Sequence, residues 1–326
     1  MQKYEKYCYF CNMTETRPEW YFIVNPRAGS GKTMSEWVPG ERRLAKLKVP
    51  FETVYTDHKR HATALAYEAA AAGYRNIAAV GGDGSLHETF AGICKYCDQT
   101  GTPTEDFYLA VAPIGSGNDW IKSLSVPHNV SDVITLISKH SFSKMDVVTV
   151  RMGGQKVSYM ANIGGIGFDS HVCKRVNLQK ESGMRSKMIY LDGLRHTMFN
   201  LKPINIKVIA DGKTVHEGPT YTMALGNGRY SGSGMRQVPL AHMDDGILDW
   251  FIVPKIPLFK IAACIPRLFN GTVTEVACTK SGKCRSLQII PLDDASADIV
   301  ELDGEIEGRL PLSIEMDARQ IHVLKG

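Results

Sequence analysis

The stretch Ala79–Gly92, AVGGDGSLHETFAG, constrains this chain more than any other. Ile77-Ala78-Ala79-Val80 reads as a buried strand that breaks at Gly81-Gly82-Asp83-Gly84 and resumes as a helix from Ser85. Two adjacent glycines, without Cβ atoms, let the backbone turn tightly and come close to a ligand. Ser85 is placed to cap the helix, with Glu88 completing a capping box. A strand, a glycine turn and a helix N-terminus together offer N–H groups and a positive dipole end, a setting that suits phosphate. Asp83 inside the turn would repel phosphate unless a cation intervenes, so the pattern points to phosphate with Mg²⁺ beside it. A plain strand-to-helix turn carrying an exposed aspartate fits the same residues.

Two more turns of this kind follow strands. Trp20–Val24 is aromatic and β-branched and runs into Asn25-Pro26-Arg27-Ala28-Gly29-Ser30-Gly31-Lys32-Thr33. A Walker A loop needs glycine where Pro26 stands, and proline fixes φ and removes an N–H, so this is a glycine-rich turn beside a nucleotide rather than a P-loop. Phe107–Ala112 leads into Pro113-Ile114-Gly115-Ser116-Gly117-Asn118-Asp119-Trp120, again opening a helix. Between these turns lie a polar helix over about 34–47, a strand at Phe51–Tyr55, and an alanine-rich helix over His61–Ala72 closed by Gly73. Strands alternating with helices imply a parallel sheet that binds ligands at its strand C-termini.

The texture changes after Pro127. Ser131–Lys139 reads as a last helix capped by Ser131. Short alternating runs then follow at Lys144–Arg151, Lys156–Ala161, Ile204–Ala210, Thr220–Leu225, Ile247–Val253, Ser286–Ile290, Ile299–Leu302 and Leu312–Glu315, the pattern of an antiparallel β domain. Two helical interruptions, Phe168–Asn200 and Ile256–Phe269, carry basic residues among apolar ones. They read either as packing helices with solvated charges or as faces for an anionic membrane surface. Asp211-Gly212 reads as a hairpin turn, and Asp245-Gly246 and Asp303-Gly304 carry the same turn chemistry. The Gly-rich stretches Tyr159–Phe168 and Gly226–Gly234 are candidates to line a cleft, or to hold bulges and bends.

A chain of 326 residues is too long for one comfortable core, so two domains are expected. A net charge of +4 does not support a dedicated nucleic-acid binder. No apolar run is long enough for a transmembrane helix, and the N-terminal residues lack the apolar core of a secretory signal. The eight cysteines do not form a disulfide framework at this length and read as reduced thiols of a cytoplasmic protein. Cys8/Cys11 and Cys94/Cys97 make two CxxC pairs, which fit either a zinc site or ordinary thiols.

Five motifs now stand in order: Asn25-Pro-x-x-Gly29; Gly81-Gly-Asp-Gly-Ser85 with Glu88; Pro113-x-Gly-Ser-Gly-Asn-Asp119; Asn227-Gly-Arg-Tyr through Pro239 to Asp245-Gly-Ile-Leu-Asp249; and Asp303-Gly-Glu305. In this order they resemble the diacylglycerol kinase and sphingosine kinase catalytic family, in particular its soluble bacterial lipid kinases. Ser85 and Ser116 stand where threonine is commoner, which keeps a hydroxyl. The resemblance runs from about Trp20 to the C-terminus and implies an α/β nucleotide domain like those of phosphofructokinase and NAD kinase, over 20–135 and completed by 308–326. It further implies an antiparallel β-sandwich lipid domain over 136–307, an active site between the two, and an extension at 1–19.

By the same resemblance, Asn25, Pro26, Gly29, Gly81, Gly82, Gly84, Ser85, Glu88, Gly115, Ser116, Asn118 and Asp119 belong to the ATP site. Asp303 would be the general base, Glu305 a metal-linked partner, and Asp83, Asp119 and Asp146 acids near a catalytic Mg²⁺. His242, Asp245 and Ile247 match a structural Mg²⁺ site made of the outer two carbonyls and the aspartate carboxylate. The expected reaction is transfer of phosphate from ATP to a membrane lipid alcohol at the membrane surface: diacylglycerol, sphingoid base, ceramide or polyprenol. A kinase for a soluble acceptor and a non-catalytic nucleotide- or lipid-binding module are the alternatives, and a homodimer stays open.

Overall fold

The computed structural model describes residues 17–115, 117–154, 156–182, 184, 188–200 and 202–326. The chain divides into two compact units. The first holds the described residues through Gly115, with Val126–Ser143 and His322–Gly326; the second holds Ser116–Ser125 and Lys144–Ile321.

The elements of the first half are β1 (Trp20–Val24), a four-residue turn α1 (Ala28–Gly31), α2 (Thr33–Lys46), β2 (Phe51–Tyr55), α3 (His61–Ala71), β3 (Asn76–Gly81), α4 (Asp83–Thr100), β4 (Tyr108–Pro113), α5 (Asp119–Ser123) and α6 (Val130–Ser138). All but α5 belong to the first unit. Its strands pair in parallel in the order β2-β1-β3-β4, and His322 and Val323 extend the sheet in parallel beyond β4. The buried runs WYFIV, IAAVG and LAVAP are nearly continuous in apolar residues, as strands covered on both faces require. The alanines of α3 serve close packing. A Cβ on Gly92 of α4 would lie 2.4 Å from the Thr63 carbonyl and 2.7 Å from Ala66 Cβ, so the two helices meet almost backbone to backbone.

Two helix starts differ from expectation. Gly82, not Ser85, is the N-cap residue of α4, and no side chain caps it. The helix begins at Asp83, which places Ser85 inside the first turn and Glu88 in the second. Asn129, not Ser131, caps α6, its Oδ1 accepting the N–H groups of Ser131 and Asp132.

The second unit is antiparallel. Besides α5, its elements are β5 (Phe142–Met152), β6 (Lys156–Met160), β7 (Ile163–Gly167), α7 (Phe168–Glu181), α8 (Met188–Phe199), β8 (Ile204–Ala210), β9 (Lys213–Gly226), β10 (Tyr230–Ser231), β11 (Met235–Arg236), β12 (Leu248–Pro254), α9 (Leu258–Asn270), β13 (Lys280–Cys284), β14 (Ser286–Pro291), β15 (Ile299–Leu302), β16 (Glu305–Arg309) and β17 (Leu312–Leu324), with the start of β5 through Ser143 and the end of β17 from His322 belonging to the first unit. The path β16-β15-β7-β9-β8-β14-β17 runs through it, with β12 joining β9 to β13 and β5 pairing β6. Alternate residues of these strands, among them Val148, Ile206, Val208, Met223, Leu225, Ile252, Leu287 and Ile314, fill one core, giving a β-sandwich. Asp211 and Gly212 turn the β8–β9 hairpin with positive φ at both, as their identities predict.

Candidate functional site

In the first unit the three glycine turns converge at the C-terminal ends of β1, β3 and β4. Asn25 is the hub. Its N–H donates to the Val80 carbonyl (3.0 Å), its Oδ1 accepts the Arg27 N–H (3.0 Å), and its Nδ2 donates to Ser85 Oγ (3.2 Å). The Ile114 N–H donates to the Gly81 carbonyl at 2.9 Å, which ties the third turn to the second. Gly29 has φ +54, and a Cβ there would meet Ile114 Cγ2 at 2.7 Å. A Cβ on Gly81 would lie 2.3 Å from Ser85 Oγ. The rim is therefore packed so closely that only glycine fits at these two points, and the N-terminus of the 18-residue α4 opens onto it. Such a cradle of main chain at a helix start suits a polyphosphate.

Gly82, Asp83 and Gly84 form this helix start, and Asp83 lies half-buried in its first turn. Pro26 sits between Asn25 and the turn of α1. Gly115 is exposed at the end of the third turn, and Ser116 lies outside the described residues. Glu88 lies half-buried in the second turn of α4. Its two carboxylate oxygens accept the N–H groups of Arg60 (2.9 Å) and Ala62 (3.2 Å), so it caps the start of α3.

Asn118 and Asp119 belong to the second unit. Asn118 takes a left-handed conformation (φ 47) and is buried. Asp119 is buried, paired with Lys122 Nζ, and accepts the Ser233 N–H at 2.7 Å. Asp146 is also buried; Oδ1 accepts Gln320 Nε2 (2.8 Å) and Oδ2 the Gly246 N–H (2.7 Å), while burial pushes its carboxyl above the ordinary aspartate range.

Asp303 and Gly304 turn β15 into β16 with φ 52 and 86. The buried Asp303 carboxylate accepts three consecutive main-chain N–H groups: Ala161 at 2.8 Å, Asn162 at 2.8 Å and Ile163 at 3.2 Å. Its own N–H returns to the Ile163 carbonyl. Asn162 carries the network onward, its carbonyl accepting the N–H groups of Asn227 and Gly228 and its Nδ2 donating to the Tyr230 carbonyl. The Asp303 turn and the Asn227-Gly-Arg-Tyr motif, 76 positions apart (303 − 227), thus meet on the 161–163 segment. Glu305 stands half-buried at the head of β16.

The residues of the anticipated structural Mg²⁺ site lie on the segment that leads into β12. Asp245 Oδ1 accepts the Ile247 N–H (3.1 Å), and Lys283 Nζ lies 3.7 Å from Oδ2 while pairing with Asp249 at 3.0 Å. Arg229 donates to the Ala241 carbonyl and reaches His242 Nδ1 at 3.4 Å. A hard divalent cation suits oxygen ligands; the Asp245 carboxylate and the His242 and Ile247 carbonyls are of that type, and the Lys283 ammonium stands beside the carboxylate. Cys94 and Cys97 are buried in α4 and form no disulfide; Cys8 and Cys11 lie outside the described residues. Among the described residues the one convergent set of metal-type ligand atoms is Asp57, His58 and His61, which sequence reasoning did not single out.

Sequence reasoning also missed three polar groups of the second unit. Asn162 lies within the Gly-rich stretch Tyr159–Phe168 offered as a cleft lining, but nothing there singled out the residue itself. Asp169, at the start of α7, accepts Thr222 Oγ1 (2.8 Å) and Gln237 Nε2 (3.0 Å), and burial raises its pKa to about 6. The residue keeps some exposed surface, but its carboxyl oxygens face these two partners rather than water. His171 Nε2 sits 3.0 and 3.1 Å from the two oxygens of Asp298.

Comparison with known proteins matches this architecture in both halves. The diacylglycerol kinase catalytic domain matches residues 19–150, and the YegS C-terminal NAD kinase beta sandwich-like domain matches residues 163–325. A Bacillus subtilis (strain 168) relative bearing the lipid-kinase name YtlR is 25% identical over 313 residues, covering 90% of this chain and 96% of its own. A Staphylococcus aureus (strain bovine RF122 / ET3-1) protein named diacylglycerol kinase is 25% identical over 301 residues, covering 92% of this chain and 90% of its own. A Bacillus anthracis str. Sterne crystal structure named for a diacylglycerol kinase superposes with a TM-score of 0.74 at 26% identity, covering 96% of this chain and 99% of that one. Yeast NADH kinase shares the fold, with a TM-score of 0.52 at 11% identity over 96% of this chain and 84% of that one. With both units matched in order, the chain belongs to the diacylglycerol kinase catalytic-domain family, a family of kinases.

Proposed function

We propose that the protein is an ATP-dependent lipid kinase that phosphorylates the hydroxyl of a diacylglycerol-like or sphingoid lipid, working peripherally at the cytoplasmic face of a membrane. The observation that carries this is the rim where Asn25, Gly29 and Gly81 knit three turns into a cradle that excludes side chains. Phosphoryl transfer asks little covalent chemistry of the protein; it needs the phosphates gripped, charge neutralised and the attacking hydroxyl aimed. The first unit supplies the grip through main-chain amides and the positive end of α4. The magnesium ion that accompanies ATP supplies charge neutralisation on the phosphates. Asp303 anchors the Ala161–Ile163 segment on the acceptor side and, by family resemblance, stands nearest the hydroxyl.

No helix among the described residues is long and apolar enough to cross a membrane. The lipid would therefore be met at the bilayer surface. A panel of diacylglycerol, sphingosine, ceramide and undecaprenol in mixed micelles with γ-labelled ATP tests the reading. Label in one of these lipids is expected; a folded protein that labels none of them would contradict it.

A further inference from the structure

Asp57, His58 and His61 bring three metal-type ligand atoms together outside the site described above. They lie in the first unit, between the end of β2 and the start of α3. The turn that carries them is held at both ends. The Thr56 N–H donates to the Val24 carbonyl at 2.9 Å, and Glu88 accepts the N–H groups of Arg60 and Ala62. Between these anchors Arg60 takes φ 66 and the His61 N–H reaches the His58 carbonyl at 3.4 Å. The turn sets the two imidazoles edge to face, with ring centroids 4.6 Å apart. Asp57 Oδ1 stands 2.8 Å from His61 Nδ1 and 3.3 Å from His58 Nδ1. The Asp57 N–H also points at His61 Nδ1, at 3.2 Å, so that nitrogen presents a lone pair on this side. A lone pair and a carboxylate oxygen 2.8 Å apart repel unless a cation lies against both. A proton answers for two of the atoms; a metal ion answers for all three.

We propose that Asp57, His58 and His61 bind a divalent ion of the Zn²⁺ class, through the Asp57 carboxylate and the two Nδ1 atoms. Ligand atoms about 2.0–2.2 Å from zinc stand roughly 3.3–3.6 Å apart in a tetrahedron. The two separations from Asp57 Oδ1 need only small side-chain movements to match, and all three atoms already lie within 4.8 Å of one another. Asp57 and His58, with 75% and 68% of their side chains exposed, have the room to make them. Two imidazoles and one carboxylate suit Zn²⁺, Co²⁺ or Ni²⁺ better than Mg²⁺ or Ca²⁺, which take shells of oxygen. Three protein ligands leave a fourth position to water. Lys59 and Arg60 in the same turn, and the positive end of α3, oppose a cation. The ion therefore exchanges with solvent and does not hold the fold together as a structural zinc does. This site is separate from the Mg²⁺ that accompanies ATP and does not rest on the kinase reading.

The test titrates Zn²⁺ into the full, reduced chain by calorimetry. Cys8→Ser and Cys11→Ser are present throughout, which removes the CxxC pair at 8–11 as a competing site. This parent is compared with Asp57→Ala, His58→Ala and His61→Ala, singly and combined, after metal-free thermal melts confirm folding. The parent is expected to bind one Zn²⁺ that the triple variant does not. Each single replacement leaves two ligands and should weaken that binding about tenfold or more. The exposed Asp57 and His58 decide the matter even where His61→Ala fails to fold. A large excess of Mg²⁺ should leave the Zn²⁺ isotherm unchanged, and Zn²⁺ should shift the ring ¹⁵N signals of both histidines. A parent isotherm that matches the triple variant's would overturn the site and assign the cluster to a shared proton. So would binding that only one of the three replacements weakens, which marks a lone surface imidazole or carboxylate, or binding that Mg²⁺ displaces.

Discussion

Gly81 is where one atom decides whether the phosphate cradle can form. A methyl group there would meet Ser85 Oγ at 2.3 Å and Ser85 Cβ at 2.8 Å. The hydroxyl can rotate away, but the Cβ is fixed by the first turn of α4, so α4 must shift and the Asn25–Ser85 bond must break. Gly81→Ala is expected to cost about 1–3 kcal/mol of stability and to weaken ATP binding about tenfold or more, read by thermal denaturation and by titration calorimetry. Asp169 gives a second test on the pH axis. Its folded pKa of about 6 stands above the ordinary aspartate value near 4. The folded state therefore holds the proton more tightly than the unfolded one, and the stability linked to this group is complete below about pH 4 and lost as pH rises through about 6. Asp169→Asn, which cannot ionise, should lack this decline. Its stability relative to wild type should rise by roughly 2 kcal/mol between pH 4 and pH 7, measured by urea denaturation at each pH.

At the scale of elements, strands rich in β-branched and aromatic residues were legible to the residue. Trp20–Val24, Phe51–Tyr55, Ile204–Ala210 and Ile299–Leu302 form with the bounds their β-branched and aromatic content predicts. The strand β7 was not legible because three of its five residues are glycine, which reads as bend or bulge. Its glycines answer to packing: a Cβ on Gly164 would strike Leu302 Cδ2 at 2.7 Å and Met160 Sδ at 2.9 Å. β9 extends back to Lys213 through Gly218-Pro219, a pair whose turn chemistry argues for a break. The capping box failed for a different reason. Glu88 has the right spacing from Ser85, but α4 begins two residues earlier, and a tertiary neighbour, the start of α3, claims its carboxylate. Glu88→Ala should thus destabilise α3 rather than α4, by about 1 kcal/mol, with faster amide exchange at Arg60 and Ala62 as the local reading.

For the whole molecule, the order of five short motifs carried the family and both architectures, because each marks a place where chemistry forbids ordinary residues. What the motifs could not carry was partnership. That Asp245 faces Lys283, that Glu88 serves α3, and that Asp303 is bound by three amides depend on residues distant in sequence, and no spacing rule predicts them. The central claim, that the γ-phosphate of ATP passes to an alcohol embedded in a lipid interface, is tested most directly by surface dilution. The rate is measured at fixed bulk concentration of the labelled lipid while its mole fraction in the micelle is lowered with inert detergent. A rate that falls with mole fraction, with label recovered in the organic phase, is the predicted result. Label that stays in the aqueous phase on a soluble acceptor, at a rate indifferent to the micelle, would contradict it.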